Sequence, residues 1–281
     1  MPNNITSEII EIDSGKTGPA LAIFAGVHGN ELAGVYALQK LLPTLKLTRG
    51  KLYIAFANPP AIRAKVRMVK QNLNRCFVAN NKGTSYEDRR ARELMAILDK
   101  CDALLDLHMF YDDDGLPFVI CEDNAVEVAH TFDVGIISTN WAKAEPGASD
   151  GYMFSQGKIG LCVECGPISK SKEYTDFAVK TIYQFLQYFD MSLKKVSLSK
   201  VPKRFVVANK SVYKSSANFT LKAGYKNFDR LKPGEVIAQD GGKKYLSQEG
   251  ECIIFPHYKA RVGEEAYIIG IETIASPKLK G

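Results

Sequence analysis

A chain of 281 residues, 46% hydrophobic and 24% charged, has the make-up of one large or two smaller globular domains, with no biased tract to mark disorder. Its formal charge of +6 is dispersed apart from a cluster at Arg63, Lys65, Arg67, Lys70 and Arg75, so the basic face interleaved with aromatics that marks nucleic-acid binding is missing. No apolar run reaches membrane-spanning length and the start has no secretory-signal pattern, so no membrane association and a cytoplasmic location are expected.

In chain order, residues 5–13 interleave apolar and polar positions and predict an edge strand. Residues 21–27 form a short uncharged apolar run, as a strand buried on both faces does, and Leu32, Val35, Leu38, Leu41 and Leu42 then fall at helical spacing. Between them lies His28-Gly29-Asn30-Glu31, at a strand's carboxyl end, where chemistry in open α/β sheets gathers. Residues 51–57 read as a second buried strand, stopped by Asn58-Pro59-Pro60. Residues 61–85 show no clean period, and so long a connection is functional or disordered.

Residues 86–100 predict a helix with Ala91, Leu94, Met95, Ile97 and Leu98 inward and Glu87, Asp88, Arg89, Arg90, Arg92 and Glu93 outward. A buried strand over 102–107 ends at His108. Further strands are expected at 116–121, 135–138 and 160–164, with helices at 124–131 and 171–189. Strands alternating with helices imply an α/β domain with a parallel or mixed sheet, here residues 1–191. Past a polar, proline-containing stretch near 192–203, residues 204–281 carry short β-like pieces and turn signals, as a small all-β domain does. The six cysteines sit in apolar segments as small hydrophobes; Cys162 and Cys165 form a CxxC with no second pair to complete a zinc site.

His28 with Glu31, His108 and Glu164 all fall at predicted strand ends. Two histidines and a carboxylate are a common catalytic zinc set with one position open, and a further glutamate is what a hydrolase needs as general base. His28-Gly29-Asn30-Glu31, Asn72-Leu73-Asn74-Arg75, Asp106-Leu107-His108 and Val163-Glu164-Cys165-Gly166-Pro167 resemble, in order and spacing, the succinylglutamate desuccinylase and aspartoacylase family of zinc hydrolases. The resemblance covers roughly residues 20–190. It implies a three-layer α/β/α zinc-carboxypeptidase-like domain with a mixed sheet, to which a small β domain is often appended.

The resemblance also implies one Zn2+ per chain on His28, Glu31 and His108, with Glu164 as catalytic base. Asn74 and Arg75 would grip a substrate carboxylate or polarise the scissile carbonyl. The implied activity is hydrolysis of the amide of an N-acyl amino acid or related small acidic molecule. A carboxypeptidase acting on peptide C-termini uses the same centre, and a non-catalytic binding protein could keep the fold; a homo-oligomer is compatible with either. Two positions depart from the family. Asn72 stands where relatives carry an aspartate beside a ligating histidine, which predicts weaker zinc binding. Pro60 stands where aspartoacylases carry an arginine, a charge that Arg63 or Arg67 could replace. Asp106 shares a strand face with His108 and could orient it. His130 and His257 are expected in solvent, and Asp112-Asp113-Asp114 as a solvated turn.

Overall fold

The computed structural model describes residues 9–273. Its first part runs β1 (Ile9–Asp13), β2 (Ala20–Ala25), α1 (Ala33–Leu41), β3 (Lys51–Phe56), α2 (Pro59–Ala64), α3 (Tyr86–Leu98), β4 (Ala103–Phe110), β5 (Phe118–Cys121), α4 (Val126–Ala129), β6 (Ile136–Thr139), α5 (Trp141–Ala144), α6 (Ser149–Ser155), β7 (Ile159–Pro167) and α7 (Thr175–Tyr188). The rest is all β: β8 (Arg204–Tyr213), β9 (Phe219–Leu221), β10 (Asp229–Arg230), β11 (Val236–Asp240), β12 (Lys243–Leu246), β13 (Glu251–Ile254) and β14 (Glu265–Thr273). Residues 5–8 of the expected first strand lie outside the described residues, and the described part, β1, is an edge strand antiparallel to β3.

The sheet is mixed, in the order β1-β3-β2-β4-β7-β5-β6-β8-β14-β13-β10. Parallel pairing of β2 with β3 and β4, and of β4 with β7, sets the centre. Alternation of side chains along these strands divides the core in two. Leu21 and Ile23 of β2, Leu105 and Leu107 of β4, and Leu161 and Val163 of β7 meet Leu38 of α1 and Ile182 and Phe185 of α7. Ala22, Phe24 and Leu104 face the other way, onto Leu94, Met95 and Leu98 of α3 and Met153 of α6. The result is the three-layer α/β/α arrangement. The all-β part is not detached from it: β8 pairs parallel with β6, so the sheet continues from one part into the other, and only β12-β11-β9 form a separate sheet. No helix among the described residues is long and apolar enough to cross a membrane.

One expectation is corrected. The helix α3 does not turn its whole charged face to solvent, because Glu87 and Arg90 are buried. Arg90 donates from Nε to the carbonyl of Ala57 (2.8 Å) and from Nη2 to that of Phe56 (3.1 Å), closing the end of β3. Arg90→Leu leaves both carbonyls without these donors, at about 1–3 kcal/mol each. The expected result is a clear drop in the urea midpoint at unchanged slope; an unchanged midpoint would mean that the contacts contribute nothing.

Of the two alternatives for residues 61–85, functional or disordered, the structure shows an ordered though aperiodic segment. Asn58 caps α2, and a 3-10 turn spans Leu73–Arg75. Glu87 Oε1 accepts the backbone N–H of Val69 (2.8 Å) and Lys70 (3.2 Å), pinning the loop from below. Such order comes from tertiary hydrogen bonds, which leave no period in the sequence.

Candidate functional site

Beyond β2 the chain turns sharply through Gly26 and Val27 and presents His28 and Glu31 at the top of the sheet. Gly29 permits this, since a Cβ there would lie 2.0 Å from the carbonyl carbon of Ala61 in α2. His108 is not at a strand end as expected but inside β4, which continues to Phe110. Asp106 and His108 sit two residues apart on one face, and the β4–β7 register sets them opposite Cys162 and Glu164.

The Glu31 carboxylate is the hub. Its Oε1 lies 2.8 Å from His28 Nδ1 and 3.1 Å from Arg67 Nη1, while Oε2 lies 3.0 Å from His108 Nδ1 and accepts the backbone N–H of Met109 at 3.0 Å. Burial opposes its charge, but the two imidazoles outweigh that and hold the carboxyl well below the usual range. Burial, and then the charge of Arg67, lower His28 to about 4, so that its ring is neutral at physiological pH. Burial likewise opposes charge on His108, but Asp106 and Glu31 prevail and push it well up.

These contacts test whether a metal fits. Asn72 Oδ1 accepts the backbone N–H of Asn74 (2.9 Å), which fixes the amide, and lies 2.9 Å from His28 Nε2, which must therefore carry the proton. In a neutral ring Nδ1 is then a lone pair, set 2.8 Å from a carboxylate oxygen. Two acceptors at that distance repel each other unless a cation or proton lies between them. The Nδ1 atoms of His28 and His108 converge on one carboxylate, and ligand atoms of all three residues lie within 4.8 Å of one another. Two imidazoles and a carboxylate are a donor set that zinc takes readily. His28, Glu31 and His108 thus form a candidate metal-binding triad.

Around it lies a cavity of about 640 Å³. Glu164 lines it, with Oε2 buried and without a hydrogen-bond partner, and burial followed by the charge of Glu31 pushes this carboxyl up to about 8. Asp106 accepts the Ser149 hydroxyl and lies 3.2 Å from His108 Nε2, without the alignment of a hydrogen bond. Asn74 and Arg75 reach the cavity from the 3-10 turn. Asn74 Oδ1 accepts the Ser149 N–H (3.2 Å), and Arg75 pairs with Glu145. Arg67 lines the cavity; Arg63 is exposed on the last turn of α2, outside it.

Much of the cavity wall lay beyond sequence reasoning. Glu145 follows α5, and Tyr213, Asn227, His257 and Glu265 come from the all-β part. No local pattern announces them, because they meet the site through long-range packing that includes the β6–β8 junction. His257 is thus corrected from solvent to the cavity, stacked on Tyr111 with ring centres 6.0 Å apart, and His130 is half-buried against Phe205. The acidic turn is tied down as well: Asp112 accepts the Asn227 N–H (2.7 Å), Asp113 pairs with Ser169, and Asp114 with Lys226 (2.8 Å). All six cysteines are free and buried; Cys162 borders the cavity beside Glu164.

Known proteins share this fold. A Vibrio cholerae succinylglutamate desuccinylase structure superposes with a TM-score of 0.79 at 19% identity, covering 94% of this chain and 85% of that one. One from Silicibacter sp. TM1040 gives 0.75 at 21%, covering 94% and 88%. Among curated sequences, the Pseudomonas aeruginosa succinylglutamate desuccinylase is 28% identical over 93% of this chain and 87% of its own length, and the Xenopus tropicalis aspartoacylase 27% identical over 88% of each. The AstE/AspA barrel-sandwich hybrid domain matches residues 202–272. Since the succinylglutamate desuccinylase/aspartoacylase catalytic domain matches residues 17–189, more than half of the sequence, the chain belongs to that family.

Proposed function

We propose that the protein is a zinc-dependent deacylase that hydrolyses the amide of an N-acyl amino acid, releasing a carboxylate and a free amine. The observation that carries this reading is the pair of Nδ1 atoms converging on Glu31, next to the buried and unpartnered Glu164 Oε2. His28, Glu31 and His108 would hold one zinc ion per chain, which when bound supplies Lewis acidity and a nucleophile at neutral pH. Glu164 takes the proton of the attacking water and returns it to the departing amine nitrogen; burial makes this carboxylate more basic than one in water. Asn74 and Arg75 receive the substrate carboxylate, for which a planar guanidinium is well shaped. Arg67, held against Glu31, supplies positive charge to the scissile carbonyl, a role that Pro60 cannot fill. The exposed Arg63 takes no part. Residues 1–191 form the hydrolytic domain, and the described part of residues 204–281 contributes to the wall of the pocket.

A panel of N-acyl amino acids and short peptides assayed with added zinc tests the reaction. Cleavage of the N-acyl amino acids is expected; turnover of peptides alone would make the protein a carboxypeptidase. At Asn72, a carboxylate would accept the same two hydrogen bonds and raise the basicity of His28. Asn72→Asp should tighten zinc binding by about 10–100-fold in a chelator competition. Unchanged affinity would show that charge at this position is immaterial.

A further inference from the structure

The cavity wall also holds a pair of carboxyl groups that hydrolysis leaves unexplained. Glu145, buried, accepts Arg75 Nη2 on Oε2 and, on Oε1, the Ser211 hydroxyl and, at 3.4 Å, that of Tyr213. Glu265, at the start of β14, lines the same cavity, and its carboxyl feels that of Glu145. Its Oε2 is buried and without a partner on the wall of the cavity. An oxygen so placed is complemented by a ligand that brings a donor. Burial, then the neighbouring Glu145, push Glu265 up to about 9, so the two carboxyls share a proton at neutral pH.

The guanidiniums of the wall bear on the same point. Arg67 faces Glu31, Arg75 faces Glu145, and Arg261 faces Glu264 at 2.7 Å. Arg75 has donors to spare for one substrate carboxylate beside Glu145. A second carboxylate placed beside Glu145 and Glu265 would meet carboxyl oxygens rather than a donor. An ammonium would give Glu265 Oε2 its donor and displace the proton shared by the two carboxyls.

We propose that the N-acyl amino acid bound here carries a side-chain amine, recognised by Glu145 and Glu265, rather than a second carboxylate. The assignment rests on the deacylase reading for the nature of the ligand, but binding tests it apart from turnover. The probes are N-acetylornithine, N-acetylnorvaline and N-acetylglutamate, which have similar lengths and differ at the side-chain terminus. Calorimetry on zinc-loaded Glu164→Gln protein should rank ornithine about tenfold or more above norvaline, with glutamate weakest. In the Glu164→Gln/Glu265→Gln protein the ratio of ornithine to norvaline affinity should fall about tenfold, whatever happens to either affinity alone. Tightest binding of N-acetylglutamate, no binding of any probe, or an unchanged ratio overturns the proposal. Wild-type turnover of the same three compounds reports on the reaction. Preferential binding of ornithine with no cleavage would sink the deacylase reading and leave the amine site standing.

Discussion

Glu164→Gln is expected to lower kcat/KM by about 10² to 10⁴ while zinc stays bound at one ion per chain. Glutamine has the same shape, so the β7 strand and its pairing with β4 through Leu107 and Val163 are not disturbed. The Oε2 atom has no hydrogen bond to lose, so the exchange costs little in folding. What disappears is a basic oxygen that can take a proton from water and pass it on. Metal analysis of the purified variant alongside steady-state kinetics separates the outcomes. Activity within tenfold of wild type would remove Glu164 from the reaction, and loss of zinc would make it a ligand instead.

Glu31→Gln should have the opposite signature, with zinc affinity falling by more than about 100-fold and activity falling with it. The reason lies in what surrounds the carboxylate. Oε1 faces His28 and the Arg67 guanidinium, and Oε2 faces His108 and the Met109 N–H. Whichever oxygen becomes an NH2 group then points a donor at a donor, Arg67 on one side or Met109 on the other. An amide is also a weaker ligand than a carboxylate. Chelator competition should show the affinity loss, and a lower melting temperature of the metal-free protein should accompany it. A variant that keeps wild-type zinc affinity would take Glu31 out of the ligand set.

The legible part of the site was the part carried by strands and their ends. His28 and Glu31 stand three residues apart after an apolar run, and Asp106 and His108 two apart within one; both spacings are short-range and survive in the sequence. Asn72 was legible through its motif, although its contact with His28 spans 44 residues. Glu145 and Glu265 were not legible. Their mutual contact joins a loop after a one-turn helix to the first residue of a late strand, and neither segment has a pattern that points toward the other. Arg63 and Arg67 looked equivalent on paper. The left-handed turn at Lys65, which ends α2, separates them and leaves Arg63 outside the cavity while Arg67 reaches Glu31.

The sequence alone determined the alternation of strands and helices, the all-β character of the second part, and the three residues of the candidate triad with Glu164 beside them. Burial period and motif spacing are local properties, set by side-chain direction along a strand or a helix. Only the tertiary structure decided that β8 joins β6, and with it that carboxylates from the all-β part line the same cavity as the triad. It decided as well that Glu87 and Arg90 lie inside, holding the loop that carries Arg67 and the end of β3. The physical reason is that a polar group's partner is chosen by which backbone atoms the packed sheet brings within reach, and no periodicity in the chain encodes that distance.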